Sequence, residues 1–299
     1  MAKVLPRGLM TALVTPFLGG RLEEEGIGAL LSLQLLQGVE GVVIAGTTGE
    51  VSTLAETEFV RLLSIAIERR KDRTVLLAGT GTNSTAATIR RARLAEELGY
   101  DGLLVVAPYY NRPSPEGVFA HYAAVAEAVE LPIVLYSNKA RCGIEIDLET
   151  ILKLHETYPH ICGLKDSGVD CNRVGELHRK LGENFSIYSG DDAMALPAMA
   201  VGADGVIGVA SNLFPDKMRQ LVRAALANDL ALARKLHLSL LPLWQGLSCD
   251  VNPVPIKFAL HEMGLIHSEE VRLPLVQLSP EHREGLRALL GGVAAGNGG

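Results

Sequence analysis

Short apolar runs alternate with longer segments of helical spacing over most of the chain. The runs are rich in Val, Ile and Leu, and each is short enough to form a strand buried in a parallel sheet. They cover Leu9–Thr15, Gly41–Gly46, Val75–Thr80, Gly102–Pro108, Ile133–Asn138, Ile161–Asp166, Ser186–Asp191 and Gly205–Ser211. From the second run onward their starts lie 19 to 34 residues apart, close to the ~30 residues of one βαβ unit. The pattern therefore predicts repeated strand–helix units.

Several of the other segments carry helix signals. Ala55–Arg70 has acidic residues in its first turn and basic residues in its last, which complements the helix dipole. Ser84–Leu98 begins at a serine suited to an N-cap and is followed by Gly99, a suitable residue after a helix end. Asp229–Leu247 and Pro253–Met263 also have helical spacing. These segments can cover a sheet and extend beyond it.

Eight strands alternating with helices fit two architectures. An open doubly wound sheet is disfavoured, because no GxGxxG motif follows the first strand and no change of composition divides the chain. We therefore predict an α/β fold, a (β/α)8 TIM barrel over residues 1–226, with a C-terminal helical region over residues 227–299. The end of that region, Gly291–Gly299, is predicted to be a loose tail.

The composition fits a globular protein that binds small molecules. Of 299 residues, 48% are hydrophobic and 21% are charged, which excludes a disordered or collagen-like chain. The net charge is −6 and the basic residues form no cluster, so no nucleic-acid partner is expected. Apolar stretches fall short of the ~18 residues of a membrane helix, so no membrane partner is expected. Residues 1–17 are interpreted as leading into the first strand, not as a signal peptide.

The cysteines and histidines give no indication of a metal site. The 4 cysteines form no CxxC pair, as is typical of reduced thiols in a cytoplasmic enzyme. The 8 histidines have neither ligand spacing nor positions at strand ends. We therefore predict a cytoplasmic protein with no metal and no other cofactor.

Active sites of TIM barrels lie at the carboxyl ends of the strands. The second apolar run leads into GTTGE at residues 46–50. Consecutive backbone N–H groups in such a turn, with the hydroxyls of Thr47 and Thr48, can bind a carboxylate or a phosphate. The alternative is an ordinary turn capped by a threonine. A position at the mouth of a barrel favours the anion site.

Lys165 lies at the end of the sixth run. A lysine in this position extends to solvent, pairs with a neighbour such as Asp166, or lies inside the mouth of the barrel. In the last case burial favours the neutral amine, which can attack a carbonyl carbon. This residue alone leaves the three alternatives open.

Residues near other strand ends are candidate partners of this lysine. Tyr136 is either a core residue or a phenol that transfers protons together with Thr47. Arg141 has a planar guanidinium suited to a substrate carboxylate, although most loop arginines are only solvated. Tyr109 and Tyr110 lie on a loop flanked by prolines and suit a subunit contact as well as a site.

Eight segments match a known pattern in order and spacing from about residue 8 to residue 290. They are GTTGE at 46–50, AGTGTN at 78–83, APYYNRP at 107–113, Tyr136 to Arg141, GLKDSG at 163–168, SGDD at 189–192, GVIGVASN at 205–212 and NPVPIKFAL at 252–260. Together they resemble the pyruvate-dependent class I lyase family, and within it the synthases. The resemblance implies a TIM barrel, a lysine Schiff base and the substrates pyruvate and L-aspartate 4-semialdehyde.

The resemblance also implies a role for each matching residue. Lys165 would form an imine with C2 of pyruvate, and the derived enamine would attack the aldehyde of aspartate semialdehyde. Thr47 and Thr48 would bind the pyruvate carboxylate. Arg141 would bind the carboxylate of the second substrate.

The family resemblance further implies a shared site between subunits. Thr47, Tyr136 and Tyr110 would form a proton relay, in which Tyr110 enters the site of the neighbouring subunit. Ile207 and Gly190 would line the pyruvate pocket. The chain is therefore expected to form a homo-oligomer, at least a dimer and commonly a tetramer in the family.

One loop departs from the family pattern. The family has Asn-Val-Pro after the tyrosine and Arg-Thr-Gly later, whereas residues 137–142 of this chain read SNKARC. Loss of the proline removes a fixed φ angle, and Cys142 replaces a threonine hydroxyl beside Arg141. The preference for the second substrate therefore stays open.

Three alternatives to a synthase follow. The first is an aldolase of the same family that cleaves a 2-keto-3-deoxy sugar acid or sialic acid to pyruvate. The second is a barrel that binds keto acids as a regulator without turnover. A pyridoxal-phosphate enzyme would also need a lysine, but the sequence offers no phosphate cup or partner for the ring nitrogen.

Regulated members of the family bind lysine at the dimer interface. The resemblance places Asn83 and Tyr109 in this allosteric site. Ala87, however, stands where regulated enzymes hold an acid for the effector's amine, and Glu56 stands where a histidine is common. We therefore predict weak or absent inhibition by lysine.

Overall fold

Eight parallel strands close into a barrel in the computed structural model, which describes residues 5–70, 74–168 and 170–294. The strands in chain order are β1 (Gly8–Ala12), β2 (Phe17–Leu18), β3 (Arg21–Leu22), β4 (Gly41–Ile44), β5 (Val75–Gly79), β6 (Gly102–Val106), β7 (Ile133–Ser137), β8 (Ile161–Asp166), β9 (Ser186–Ser189) and β10 (Gly205–Gly208). Strands β2 and β3 form a separate antiparallel hairpin, and β10 closes the barrel by pairing with β1. The predicted (β/α)8 barrel is confirmed.

Helices surround the barrel and continue after it. They are α1 (Glu24–Gln37), α2 (Glu56–Arg69), α3 (Thr85–Glu97), α4 (Pro115–Ala126), α5 (Lys139–Cys142), α6 (Leu148–Thr157), α7 (Cys171–Leu181), α8 (Ala195–Ala200), α9 (Pro215–Leu226), α10 (Leu230–Leu247), α11 (Val254–Glu262) and α12 (Pro280–Ala294). The predicted caps of α3 are confirmed, because Ser84 Oγ accepts from the N–H of Ala87 at 3.4 Å and Gly99 has a φ of 85°. Within the described part of the chain, no helix has the length and apolar character needed to cross a membrane.

Most strands end earlier than the apolar runs that predicted them. The run Gly41–Gly46 gives a strand that ends at Ile44, and the run Ser186–Asp191 gives one that ends at Ser189. Ala45 is still buried, at 1% exposure, although it has left the ladder with a φ of 56°. The chain thus turns away from the strand while its residues are still buried at the mouth of the barrel. The run of apolar residues is therefore longer than the paired strand.

Two apolar layers hold the barrel together. Inside the ring, Met10, Val43, Leu77, Val134 and Ile207 are fully buried and pack against one another. A second, larger layer lies between the outer faces of the strands and the helices. Each fully buried aliphatic side chain of this kind contributes about 1.5–3 kcal/mol. Because the interior is filled with side chains, a ligand has room only at the ends of the barrel.

Helices α10, α11 and α12 form the predicted C-terminal helical region. Leu286 and Leu290 of α12 are buried. The helix continues through Ala294, and the loose tail expected over residues 291–299 stays a prediction. Packing of the apolar face of α12 outweighs the low helix propensity of the glycines near its end. Residues 295–299, like residues 1–4, lie outside the described residues, and the division at residue 226 stays a prediction.

Candidate active site

Lys165 projects from the end of β8 at the carboxyl mouth of the barrel. Its register partner on the neighbouring strand β7 is Tyr136. The Lys165 side chain is only 4% exposed, and its Nζ lies 4.6 Å from the centroid of the Tyr136 ring. Of the three alternatives open for Lys165 from the sequence, extension into solvent therefore does not occur.

Asp166 is not the ion-pair partner of Lys165. Its Oδ2 accepts from Arg173 Nε at 2.8 Å, and its Oδ1 accepts from the N–H of Gly168 at 2.8 Å. Alternate residues of a strand point to opposite faces, so Asp166 lies on the helix side of the sheet while Lys165 lies on the inner side. The Lys165 amine is thus left available inside the barrel mouth.

Tyr136 is buried at 5% exposure and surrounded by polar groups. Asn138 Nδ2 donates to its hydroxyl at 3.1 Å. Burial by itself raises the pKa of the Tyr136 phenol, but the charge of Lys165 and the hydrogen bonds with Asn138, Ser167 and Thr47 outweigh burial and hold the pKa below its usual value. A phenol that loses its proton more readily is suited to transfer protons beside the lysine.

The GTTGE turn lies beside Lys165 and Tyr136. The N–H of Gly49 donates to the carbonyl of Gly46 at 3.0 Å, and the N–H of Glu50 donates to the carbonyl of Thr47 at 3.0 Å. Thr48 is buried, and its Oγ1 accepts from Asn252 Nδ2 at 3.0 Å. The N–H groups of Gly49 and Glu50 are thus used within the turn, and the N–H groups and hydroxyls of Thr47 and Thr48 are the donors proposed for an anion.

A buried ion pair fixes the far end of this turn. Glu50 has a φ of 52° and is buried. Its Oε1 accepts from Lys257 Nζ of α11 at 2.6 Å, and its Oε2 accepts from the N–H of Arg272 at 3.0 Å. Burial lowers the pKa of Lys257, and the adjacent Glu50 carboxylate opposes that effect. The C-terminal region thus holds the turn in place.

Arg141 lies on the loop that departs from the family pattern. Asn138 caps the short helix α5 by accepting from the N–H of Arg141 at 3.1 Å. The guanidinium is exposed, and its Nη2 donates to the backbone carbonyl of Asn252 at 3.0 Å. This arrangement leaves other guanidinium donors free to bind a ligand carboxylate.

These residues surround two adjoining cavities. The Lys165 cavity, of about 410 Å³, is lined by Thr47, Thr48, Tyr136, Asn138, Arg141, Lys165, Ser167, Gly190, Asp192, Trp244 and Asn252 among others. The Tyr109 cavity, of about 300 Å³, shares Thr47, Tyr136, Arg141 and Asn252 with it and adds Tyr109 and Arg91. The structure therefore brings Lys165, Tyr136, Thr47, Thr48 and Arg141 together around one space.

Gly190 and Ile207 occupy different places. A Cβ at Gly190 would lie 2.2 Å from Ser167 Oγ and 2.8 Å from Lys165 Cε, so a larger residue would displace the lysine. The Ile207 side chain is fully buried inside the barrel and packs below the site. Gly190 thus lines the Lys165 cavity, whereas any contact of Ile207 with a ligand would be through its backbone.

Tyr110 is not among the residues that line either cavity within one chain. It is 88% exposed and has a φ of 69°. The prediction that it enters the site of a neighbouring subunit concerns a second chain and stays a prediction.

The predicted allosteric positions lie on α2, the loop between β5 and α3, α3 itself and the loop after β6. Asn83 Nδ2 donates to Asn111 Oδ1 at 3.1 Å, and Glu56 pairs with Arg91 at 3.4 Å. Ala87 lies in the first turn of α3, and Tyr109 lines the cavity that bears its name. This region therefore contains an arginine and no carboxylate at position 87.

Sequence reasoning did not single out Asn138, Ser167, Asp192 or Asn252. All four line the Lys165 cavity. All four lie within segments that carried the family resemblance, but the segments alone do not tell which side chains face the ligand. Among the described residues, no group of three or more His, Cys, Asp or Glu side chains could hold a metal ion.

Comparison with known proteins identifies the family. A model of the dihydrodipicolinate synthetase family matches residues 5–292. The chain belongs to this family. A 4-hydroxy-tetrahydrodipicolinate synthase from Thermomicrobium roseum is 43% identical over 95% of this chain and 93% of its own length.

Solved structures of the dihydrodipicolinate synthetase family match the whole barrel. The crystal structure of dihydrodipicolinate synthase from Aquifex aeolicus has a TM-score of 0.95 and 38% identity, covering 96% of this chain and 98% of that one. The enzyme from Acinetobacter baumannii, described as complexed with pyruvate, has a TM-score of 0.93 and 40% identity, covering 96% of this chain and 99% of that one. The family assignment made from the sequence is confirmed.

Proposed function

We propose that this chain condenses pyruvate with L-aspartate 4-semialdehyde to form 4-hydroxy-tetrahydrodipicolinate, the reaction of lysine and diaminopimelate biosynthesis. The name of the T. roseum relative supports this activity. The observation that carries the proposal is the buried Lys165 amine beside the Tyr136 phenol, in a cavity that also holds Thr47, Thr48 and Arg141. The enzyme is a lyase that needs no cofactor, because the lysine itself activates the keto acid.

Pyruvate binds first. Its carboxylate lies on the turn of Thr47 and Thr48, which directs C2 towards Lys165. The amine bonds to C2 and the carbonyl oxygen leaves as water, giving an imine. A proton then leaves the methyl carbon C3, and Tyr136, oriented by Thr47 and Asn138, transfers it away. The product of this half-reaction is an enamine with a nucleophilic C3.

The second half-reaction forms the new carbon–carbon bond. Arg141 holds the carboxylate of aspartate semialdehyde. The enamine C3 attacks the aldehyde carbon, whose oxygen takes up a proton and becomes the 4-hydroxyl group. The amino group of the second substrate then attacks C2 and displaces Lys165, which closes the ring and restores the free enzyme.

The oligomeric state belongs to the proposal as well. We infer at least a dimer, and a tetramer as the complete assembly, because Tyr110 is 88% exposed on a loop beside the cavities. In such an assembly Tyr110 completes the relay of Thr47 and Tyr136 in the neighbouring subunit. The free cysteines Cys142, Cys162, Cys171 and Cys249 support a cytoplasmic location.

A product assay tests the activity. Purified protein is incubated with pyruvate and L-aspartate semialdehyde, and separately with 2-keto-3-deoxygluconate or N-acetylneuraminate, and products are followed by mass spectrometry. We expect the cyclic product in the first reaction and no release of pyruvate in the others. Release of pyruvate from a sugar acid, without formation of the cyclic product, would assign the chain to the aldolases.

Trapping of the imine separates an enzyme from a binding protein. Sodium borohydride reduces an imine to a stable amine, so pyruvate should add mass to Lys165 in the wild-type protein and not in Lys165→Ala. A wild-type protein that binds pyruvate without this adduct would be a regulator.

A further inference from the structure

The proposed reaction creates a positive charge on Nζ of Lys165. The neutral amine attacks the ketone, and uptake of one proton and loss of one water give a cationic imine, so Nζ carries a charge that the attacking amine did not have. Tyr136 on β7 lies on one side of Lys165. Strand β9 lies on the other side of β8, and the loop that follows β9 carries Asp192.

Asp192 is held by the backbone at one oxygen. Its Oδ2 accepts from the N–H of Val209 at 3.0 Å and from the N–H of Ala210 at 2.8 Å, both just after β10. The side chain lines the Lys165 cavity. The carboxyl group is thus fixed between the ends of two strands at the mouth of the barrel.

The other oxygen of Asp192 has no such partner. Oδ1 is buried and accepts no hydrogen bond from any residue that the structure describes. A Cβ at Gly208 would lie 2.1 Å from Asp192 Oδ1, so only a residue without a side chain leaves room for this oxygen. A buried, uncompensated carboxylate oxygen is costly, and such sites often mark a functional group.

The Asp192 carboxylate interacts electrostatically with Lys165. Burial, together with the negative charge of Asp191 in the same loop, raises the pKa of Asp192 to about 6, although the backbone hydrogen bonds and the positive charge of Lys165 lower it. The carboxylate is therefore mostly ionised at neutral pH. In a site with little water its charge acts more strongly on neighbouring groups than it would at the surface.

We propose that Asp192 is the counter-ion of the cationic imine at Lys165. The proposal rests on the Schiff-base chemistry proposed above and adds a positioning residue to it. Asp192 stabilises the cationic imine through its charge, from the side of Lys165 opposite to Tyr136. It forms no bond to the substrate and takes no proton from it.

The isosteric variant Asp192→Asn removes the charge and keeps the shape. Its amide oxygen can still accept from Val209 and Ala210. Pyruvate imine is trapped with borohydride over a range of pyruvate concentrations, and the adduct on Lys165 is measured by mass spectrometry. Loss of a nearby opposite charge should raise the pyruvate concentration at which half of the protein carries the adduct (half-trapping) about tenfold or more. Asp216→Asn, an exposed acid in α9 that lines neither cavity, makes the same change of charge and should leave trapping unchanged.

The pH profile separates a charge effect from a structural one. As the pH falls through about 6, Asp192 takes up a proton and loses its negative charge. The pyruvate concentration that the wild type needs for half-trapping should then rise towards that of Asp192→Asn. The ratio of the two concentrations, variant over wild type, should therefore be largest above pH 7 and close to one near pH 5. Asp192→Ser should behave like Asp192→Asn, which provides a second variant if one folds poorly.

The outcomes distinguish this proposal from the function on which it rests. Equal trapping by wild type and both folded variants at all pH values would overturn the counter-ion and leave the lyase intact. A constant ratio at all pH values would also overturn it, since a purely structural loss does not titrate. No adduct in the wild type would overturn both the counter-ion and the proposed function.

Discussion

The two sides of the Lys165 cavity are built in different ways. On the side proposed for pyruvate, Lys165 and Tyr136 project from adjacent strands and are nearly buried. On the side proposed for the second substrate, Arg141 is exposed on a four-residue helix, and its guanidinium is held by the carbonyl of Asn252. The groups proposed for bond making are fixed by the barrel, whereas the group proposed for selecting the aldehyde is on a loop.

The difference separates reaction type from substrate preference. A strand-end residue cannot move without disturbing the ladder on both sides, so its geometry is preserved when surface loops change. A loop of residues 137–142 can change its sequence at little cost in stability. We therefore expect substitutions on the strand side to abolish turnover, and substitutions on the loop side to shift the affinity for the second substrate.

The largest effect should follow from Lys165→Ala. Without the amine no imine forms, and turnover should fall at least about a thousandfold. The measurement is the rate of cyclic product formation, with Lys235→Ala, an exposed lysine of α10, as a control for loss of a lysine. Retention of more than a few per cent of activity would show that the Schiff base is not essential.

Tyr136→Phe should come next. It keeps the ring and removes the hydroxyl, so proton transfer should slow by about a hundredfold to ten-thousandfold, while borohydride still traps the pyruvate adduct. The Tyr158 hydroxyl bonds Glu127 at 2.6 Å, away from the cavities, which makes Tyr158→Phe the matched control. Normal turnover in Tyr136→Phe would rule out the proposed relay.

Arg141→Ala should have a smaller and more selective effect. Loss of a charged hydrogen bond to a carboxylate costs about 1.5–3 kcal/mol, so KM for aspartate semialdehyde should rise by about ten- to a hundredfold while the KM for pyruvate changes little. Steady-state kinetics with each substrate varied in turn measure both values. An equal loss for both substrates would mean that the loop serves the pyruvate side too, and the distinction between the two sides would fail.

The smallest effect should be that of free L-lysine. Ala87 has no carboxylate to pair with the effector's ammonium, and Arg91 in the Tyr109 cavity adds a like charge. We expect weak or absent inhibition in the product assay, and Ala87→Glu should increase it. Half-inhibition of the wild type by micromolar lysine would contradict this expectation.

The barrel could be predicted from the sequence because its signal is local and repeated. A buried strand such as Ile161–Asp166 is recognisable from its own residues, and its predicted bounds agree with the structure. The same rule led to Lys165 and to the Thr47–Thr48 turn, since both lie near strand ends. The predicted strand ends lie too far along the sequence where a buried turn, such as the one at Ala45, follows the paired strand.

The rest of the site depends on distant parts of the chain. Asn252 donates to Thr48 across 204 positions of sequence, and no pattern near either residue indicates that contact. Asp192 shares a loop with Asp191, and only the position of Gly208 and the amides after β10 distinguishes the two carboxylates. The role proposed for Tyr110 depends on a contact between chains, which a single chain does not contain.

The ion pair between Glu50 and Lys257 links activity to the completeness of the chain. Glu50 ends the turn beside Lys165, and its two carboxylate oxygens are satisfied by residues 257 and 272. A protein shortened to the barrel alone would leave a buried carboxylate without its partner, at a cost of about 3–5 kcal/mol, a large share of the ~5–15 kcal/mol that stabilises a typical domain. A truncated barrel should therefore be an unstable protein and not merely a slower enzyme, so that newly made chains become active only after residues 257 and 272 have been synthesised and packed.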